Sequence, residues 1–93
     1  MKILTVCGNG IGSSLMLAMK VDEICKENNI KADVESTDFD SAKGKKADLL
    51  ITIKELAVQL EGRNVAIVRS YTNKEKIIED VLDKIKETYE KVK

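Results

Sequence analysis

One cysteine stands where a packing cysteine has no reason to be. Cys7 follows the apolar run Ile3-Leu-Thr-Val6 and precedes Gly8-Asn-Gly-Ile-Gly-Ser-Ser14. The chain must bend sharply there, and glycine permits the left-handed backbone and close approach that such a bend needs. If a helix begins near Gly12, the loop amides and the positive end of the helix converge on one concavity. A site of that kind holds a dianion without any cationic side chain. Ser13 and Ser14 can add hydroxyl donors. The same field favours a thiolate, which makes Cys7 nucleophilic. The chemistry these residues point to is phosphoryl transfer at sulfur. Cys7 would be the acceptor, with Gly8, Asn9, Gly10, Ile11, Gly12, Ser13 and Ser14 as the phosphate cradle.

A plainer reading of the glycines is a tight strand-to-helix turn. A dinucleotide-binding fingerprint fits poorly, because the third glycine is misplaced and the chain lacks a second nucleotide-binding half. Histidine is absent, which removes the commonest general base and metal ligand, and two cysteines alone make no plausible zinc site. No metal and no cofactor is expected. Cys25 falls late in the first helix on an apolar line and reads as core. About 13 helical residues between the two cysteines span roughly 20 Å, too far for a disulfide. Lys54 and Arg69 follow the third and fourth strands. Lys54 reads as a solvated charge, whereas Arg69 reads equally as solvated or as a neighbour of the loop. Asp38 and Asp40 read as loop solvation, and Glu79, Asp80, Asp83, Lys84 and Lys86 as a solvated helix face. Met16 and Met19 read as core; exposed beside the loop, they would suit an adaptable docking patch.

Ninety-three residues allow one domain, expected over residues 1–93, with a modest core. Sixteen basic and sixteen acidic side chains cancel, and only Arg63 and Arg69 are arginines, so neither nucleic acid nor an anionic membrane is an expected partner. No stretch approaches the roughly 20 apolar residues that span a bilayer. A cytosolic protein with reduced thiols, not inserted in a membrane, is expected.

The elements that would position Cys7 follow from hydrophobic periodicity. Lys2 to Val6 reads as a buried strand, Ile11 to about Lys26 as a helix ended by Asn28-Asn29, and Lys31 to Ser36 as an edge strand. Thr37 to Ala47 reads as a loop or at most a short helix. Asp48 to Thr52 reads as a third strand. Thr52 and Glu55 offer a capping box for a short helix that Gly62 ends. Asn64 to Arg69 reads as a fourth strand, with Thr72 and Glu75 offering a second capping box. The line Ile77, Ile78, Val81, Leu82, Ile85, Tyr89 and Val92 marks a terminal amphipathic helix. Alternating strands and helices predict an α/β three-layer, Rossmann-like sandwich: a four-stranded parallel sheet ordered 2-1-3-4 with helices on both faces. Cys7 would lie at the switch point of that sheet.

With the C-G-N-G-x-G-S-S loop at Cys7 to Ser14, a methionine-bearing helix and this β/α order, the chain resembles enzyme IIB of the sugar phosphotransferase system (PTS). The resemblance is greatest to its ascorbate-type branch. It implies that Cys7 accepts phosphate from a phosphohistidine of enzyme IIA and passes it to a sugar bound by the membrane component IIC. It also implies a cytoplasmic protein peripheral to that transporter. The rival from another class is a low-molecular-weight cysteine phosphatase, whose loop reads C-x-x-x-x-x-R-[ST]. Position six after Cys7 is here Ser13, so the arginine that clamps a transferring phosphoryl group is missing. A further alternative is an anion-binding or regulatory docking module.

Overall fold

The computed structural model describes residues 1–7, 12–60 and 62–92, with the backbone alone for residues 12–14. Among the described residues four strands, β1 (Lys2–Cys7), β2 (Asp33–Asp38), β3 (Leu49–Thr52) and β4 (Val65–Ile67), alternate with four helices, α1 (Gly12–Glu27), α2 (Phe39–Gly44), α3 (Lys54–Ala57) and α4 (Lys74–Val92). The sheet is parallel throughout and ordered β2-β1-β3-β4, as expected. β1 pairs with β2 from Lys2↔Asp33 to Cys7↔Asp38, and with β3 from Ile3↔Leu49 to Thr5↔Ile51.

Side-chain alternation along β1 and β3 divides the core in two. Ile3, Leu49 and Ile51, with Ala66 and Val68, pack under Leu17, Val21, Ile24 and Cys25 of α1 and Ile77, Val81 and Ile85 of α4. Leu4, Val6 and Leu50 face the opposite way, against Ala42 of α2 and Leu60. The long helices thus cover one face and the short ones the other. β1 and β3 are apolar on both faces because both faces are covered.

Several expectations needed correcting. β2 lies two residues later than its weak alternation suggested, and the segment after it forms α2. Asp38 N-caps that helix by accepting from the Ser41 N–H at 3.0 Å, so it is a cap rather than loop solvation. The Thr52–Glu55 capping box does not form. Ile53 is the N-cap of α3, with no side-chain cap bond, because the Thr52 hydroxyl is used elsewhere. At α4 it is Asn73, not Thr72, whose side chain caps, by accepting from the Lys76 N–H at 3.2 Å. Met16 and Met19 are exposed, Met19 by 59%. Helix α1 is apolar around most of its girth, and only the stripe from Leu17 to Cys25 can face the sheet. Asn29 closes α1 in left-handed conformation (φ 58°), and the Ile30 N–H returns to the Cys25 carbonyl at 2.8 Å.

Candidate functional site at the end of the central strand

Cys7 is the last residue of β1, one position further into the strand than the apolar run suggested, and is 6% exposed. It stands at the carboxyl edge of the sheet. From β1 the chain runs out to β2 and later returns to the other side of β1 as β3, so Cys7 occupies the switch point where open α/β sheets bind ligands. Helix α1 begins five residues later at Gly12, as a helix feeding its N-terminus toward the strand end requires. Gly8, Asn9, Gly10 and Ile11 lie outside the described residues, as do the side chains of Ser13 and Ser14.

Two hydroxyls converge on the residue before Cys7. The β1–β3 ladder stops at Thr5↔Ile51, and beyond it the fully buried Thr52 donates its hydroxyl to the Val6 carbonyl at 2.9 Å. This side chain continues the pairing where the ladder stops. From the loop after β4 the Tyr71 hydroxyl donates to the same carbonyl at 3.4 Å. Burial pushes the Tyr71 phenol up, and negative charge at Cys7 pushes it the same way, against a partial offset from Thr52. The loop that carries Tyr71 is pinned at both ends. The Ser70 hydroxyl accepts from the Thr72 and Asn73 N–H groups, and the Arg69 N–H donates to Asp80 at 2.9 Å. The half-buried ring packs against the larger core cluster.

The charged candidates separate. The Arg69 guanidinium is held by Asp80 at 3.0 Å and by Glu79 at 2.9 Å on α4. That decides its role as a clamp between the β4 loop and α4, and it takes Glu79 and Asp80 out of the merely solvated face. Arg63 donates to the carbonyls of Ala42 and Lys45. Both arginines therefore serve the fold. Lys54 is exposed, as read from the sequence. Asp38 neighbours Cys7 in register, but hydrogen bonds from Ser41 hold its carboxyl below the usual range, in a cap. Cys25 is a buried thiol pushed up to about 11, by burial first and Asp22 second, which suits core packing.

Sequence reasoning did not assign Thr52 or Tyr71 to the site. The strand order alone puts the end of β3 beside the end of β1, so Thr52 was within reach of the argument. Tyr71 had no comparable signal, because the loop after β4 has no periodicity to place it.

The family described as "PTS system, Lactose/Cellobiose specific IIB subunit" matches residues 2–90. Among curated proteins the chain is similar to the "Ascorbate-specific PTS system EIIB component" of Mycoplasma pneumoniae. The two are 38% identical over 52 residues, which is 54% of this chain and 55% of that one. It is likewise similar to the protein of the same name from Escherichia coli O157:H7, 38% identical over 61 residues, 63% of this chain and 60% of the relative. The chain thus matches less than two thirds of the length of these relatives. The family match, residues 2–90, runs over the whole sheet, from the strand that delivers Cys7 onward, and over the helices but for the last two residues of α4, and the chain belongs to the PTS IIB family.

Proposed function

We propose that this protein is a phosphoryl carrier of a sugar phosphotransferase system and that Cys7 is the residue that carries the phosphate. The observation that supports it best is the position of Cys7, a thiol at the end of the central strand, at the sheet's switch point and just ahead of a helix N-terminus. The Cys7 thiolate attacks the phosphorus of a phosphohistidine on an enzyme IIA partner. The P–N bond breaks, the S–P bond forms and the imidazole, protonated beforehand at its other ring nitrogen, leaves neutral. A hydroxyl of a sugar held by membrane component IIC then attacks the same phosphorus. The S–P bond breaks, the thiolate returns, and the hydroxyl proton passes to a base outside this chain.

The cradle is proposed over Gly8, Asn9, Gly10, Ile11, Gly12, Ser13 and Ser14, whose amides and hydroxyls would hold the three phosphoryl oxygens. The names of the relatives favour an ascorbate-like sugar. No helix among the described residues is long and apolar enough to cross a membrane, which fits a cytoplasmic protein that docks on its transporter. Leu15, Met16 and Met19, exposed on the first turns of α1, offer a partner protein an adaptable apolar surface beside the site.

A phosphatase reading is disfavoured by the arginines. Hydrolysis of a cysteinyl phosphate calls for a bidentate cation on the phosphoryl oxygens, and both Arg63 and Arg69 are engaged elsewhere. A carrier has to keep its phosphate from water, so the lack of such a clamp suits it. Incubation with phosphorylated IIA, followed by mass spectrometry, tests the reading. Phosphate on Cys7 that moves on to a IIC-bound sugar supports it; phosphate on any other residue, or none, refutes it.

A further inference from the structure

The Val6 carbonyl is already satisfied by Thr52 at 2.9 Å, so the Tyr71 hydroxyl, at 3.4 Å, is its second and weaker donor. A contact at the far edge of hydrogen-bonding range is cheap to give up. The phenol cannot drift far, because its ring packs on the core and its loop is tied to α4 through Arg69 and Asp80. Cys7 follows that carbonyl directly in the chain, and its charge, like that of Glu55, opposes ionisation of Tyr71. The arrangement holds the Tyr71 O–H, with Thr52 as its polar neighbour, on the carbonyl of the residue that precedes Cys7.

We propose that Tyr71 is a ligand of the group carried by Cys7: its hydroxyl leaves the Val6 carbonyl and donates to an anionic oxygen bound to the Cys7 sulfur. No proton is transferred; one weak hydrogen bond is exchanged for a charge-assisted one. Thr52 keeps the Val6 carbonyl satisfied during the exchange, which makes it the positioning residue of the pair. The proposal extends the carrier reading but can be tested apart from it.

The first experiment needs no phosphate. The chain has two tyrosines and no tryptophan, so in a Tyr89→Phe background Tyr71 is the sole phenol. Its ionisation is followed by phenolate absorbance in Cys7→Asp and in the isosteric Cys7→Asn, with circular dichroism confirming the fold. The carboxylate variant is expected to titrate about one pH unit higher, a tenfold change in the phenol's ionisation constant. Equal midpoints overturn the proposal. The second experiment covers the case where those variants fail to fold. Tyr71→Phe, at parental stability, is equilibrated with phosphorylated IIA, and the fraction of phosphorylated chain is expected to fall about tenfold in equilibrium constant. An unchanged equilibrium overturns the proposal. If the parent chain itself takes up no phosphate, the carrier reading fails, and the phenol titration still decides the role of Tyr71.

Discussion

Replacing Thr52 by valine removes the hydroxyl that ties β3 to the end of β1 and changes little else. The side chain is fully buried and valine has nearly its shape, so neither a cavity nor a clash follows. What is lost is the 2.9 Å bond to the Val6 carbonyl, which is left with the longer Tyr71 contact in its place. An acceptor that loses its better donor in a buried setting costs about 1–2 kcal/mol. In a domain of this size each kcal/mol moves the melting temperature by about 4–8 °C, so a fall of roughly 4–16 °C is expected. Thr52→Ser keeps the hydroxyl and loses one buried methyl, at about 1 kcal/mol. The two variants then part in function. The serine variant should accept phosphate at the parental level, while the valine variant, with the end of β1 loosened beside Cys7, should accept less. Urea unfolding followed by far-ultraviolet circular dichroism gives the stabilities, and phosphate uptake on the same samples gives the rest. Combining Thr52→Val with Tyr71→Phe should be non-additive, since both hydroxyls serve one carbonyl. A Thr52→Val protein as stable as its parent would refute the reasoning.

Three further outcomes follow from the same geometry. Burial pushes the Asp80 carboxyl up, but hydrogen bonds from the Arg69 side chain and N–H outweigh it and hold the group below its usual range; its contribution is therefore full above the unfolded value near 4 and is lost as pH falls through the depressed folded value. Asp80→Asn should lower the urea midpoint at neutral pH and flatten that acid-side loss, which a series of urea curves between neutral and acid pH would show. Iodoacetamide near neutral pH should label Cys7 well before Cys25, whose thiol is buried and pushed up to about 11; equal rates in the folded protein, read by peptide mapping, would contradict an activated Cys7. Gly12→Val, at the first residue of α1, should reduce phosphate uptake more than stability, whereas Ser13→Ala and Ser14→Ala should be milder, each removing one donor of several; parental uptake by the folded glycine variant would leave Gly12 with a turn role alone.

The parts of the fold legible in the sequence were those written in hydrophobic period. The strands around Leu4, Ile51 and Ala66 are short apolar runs between turns, and the line from Ile77 to Ile85 has one apolar face, so strand order and layer assignment followed. Segments where polar bonds decide were less legible. Phe39–Gly44 has almost no apolar face, and it is helical because Asp38 caps it and Ala42 seals the second core. Thr52 has the spacing of a helix cap, but a tertiary acceptor, the Val6 carbonyl, outcompetes the local one. Leu15 and Met19 fit a helical apolar line equally well and still face outward, because β1 and β2 accept only one stripe of α1. At the site, the glycines and the strand end pointed to Cys7 from composition and position alone. Tyr71 reaches the Val6 carbonyl from 65 residues away, through a loop whose path depends on Arg69 finding Asp80, which no local pattern encodes.

The central claim is that this chain carries phosphate on one sulfur. Parent, Cys7→Ser and Cys25→Ala proteins, each checked for folding, are incubated with phosphorylated IIA and analysed by intact mass and by peptide mapping under conditions that preserve thiophosphate. The account predicts one added phosphate on the parent and on Cys25→Ala, mapped to Cys7, and none on Cys7→Ser. A folded Cys7→Ser protein that takes up phosphate like its parent would contradict it.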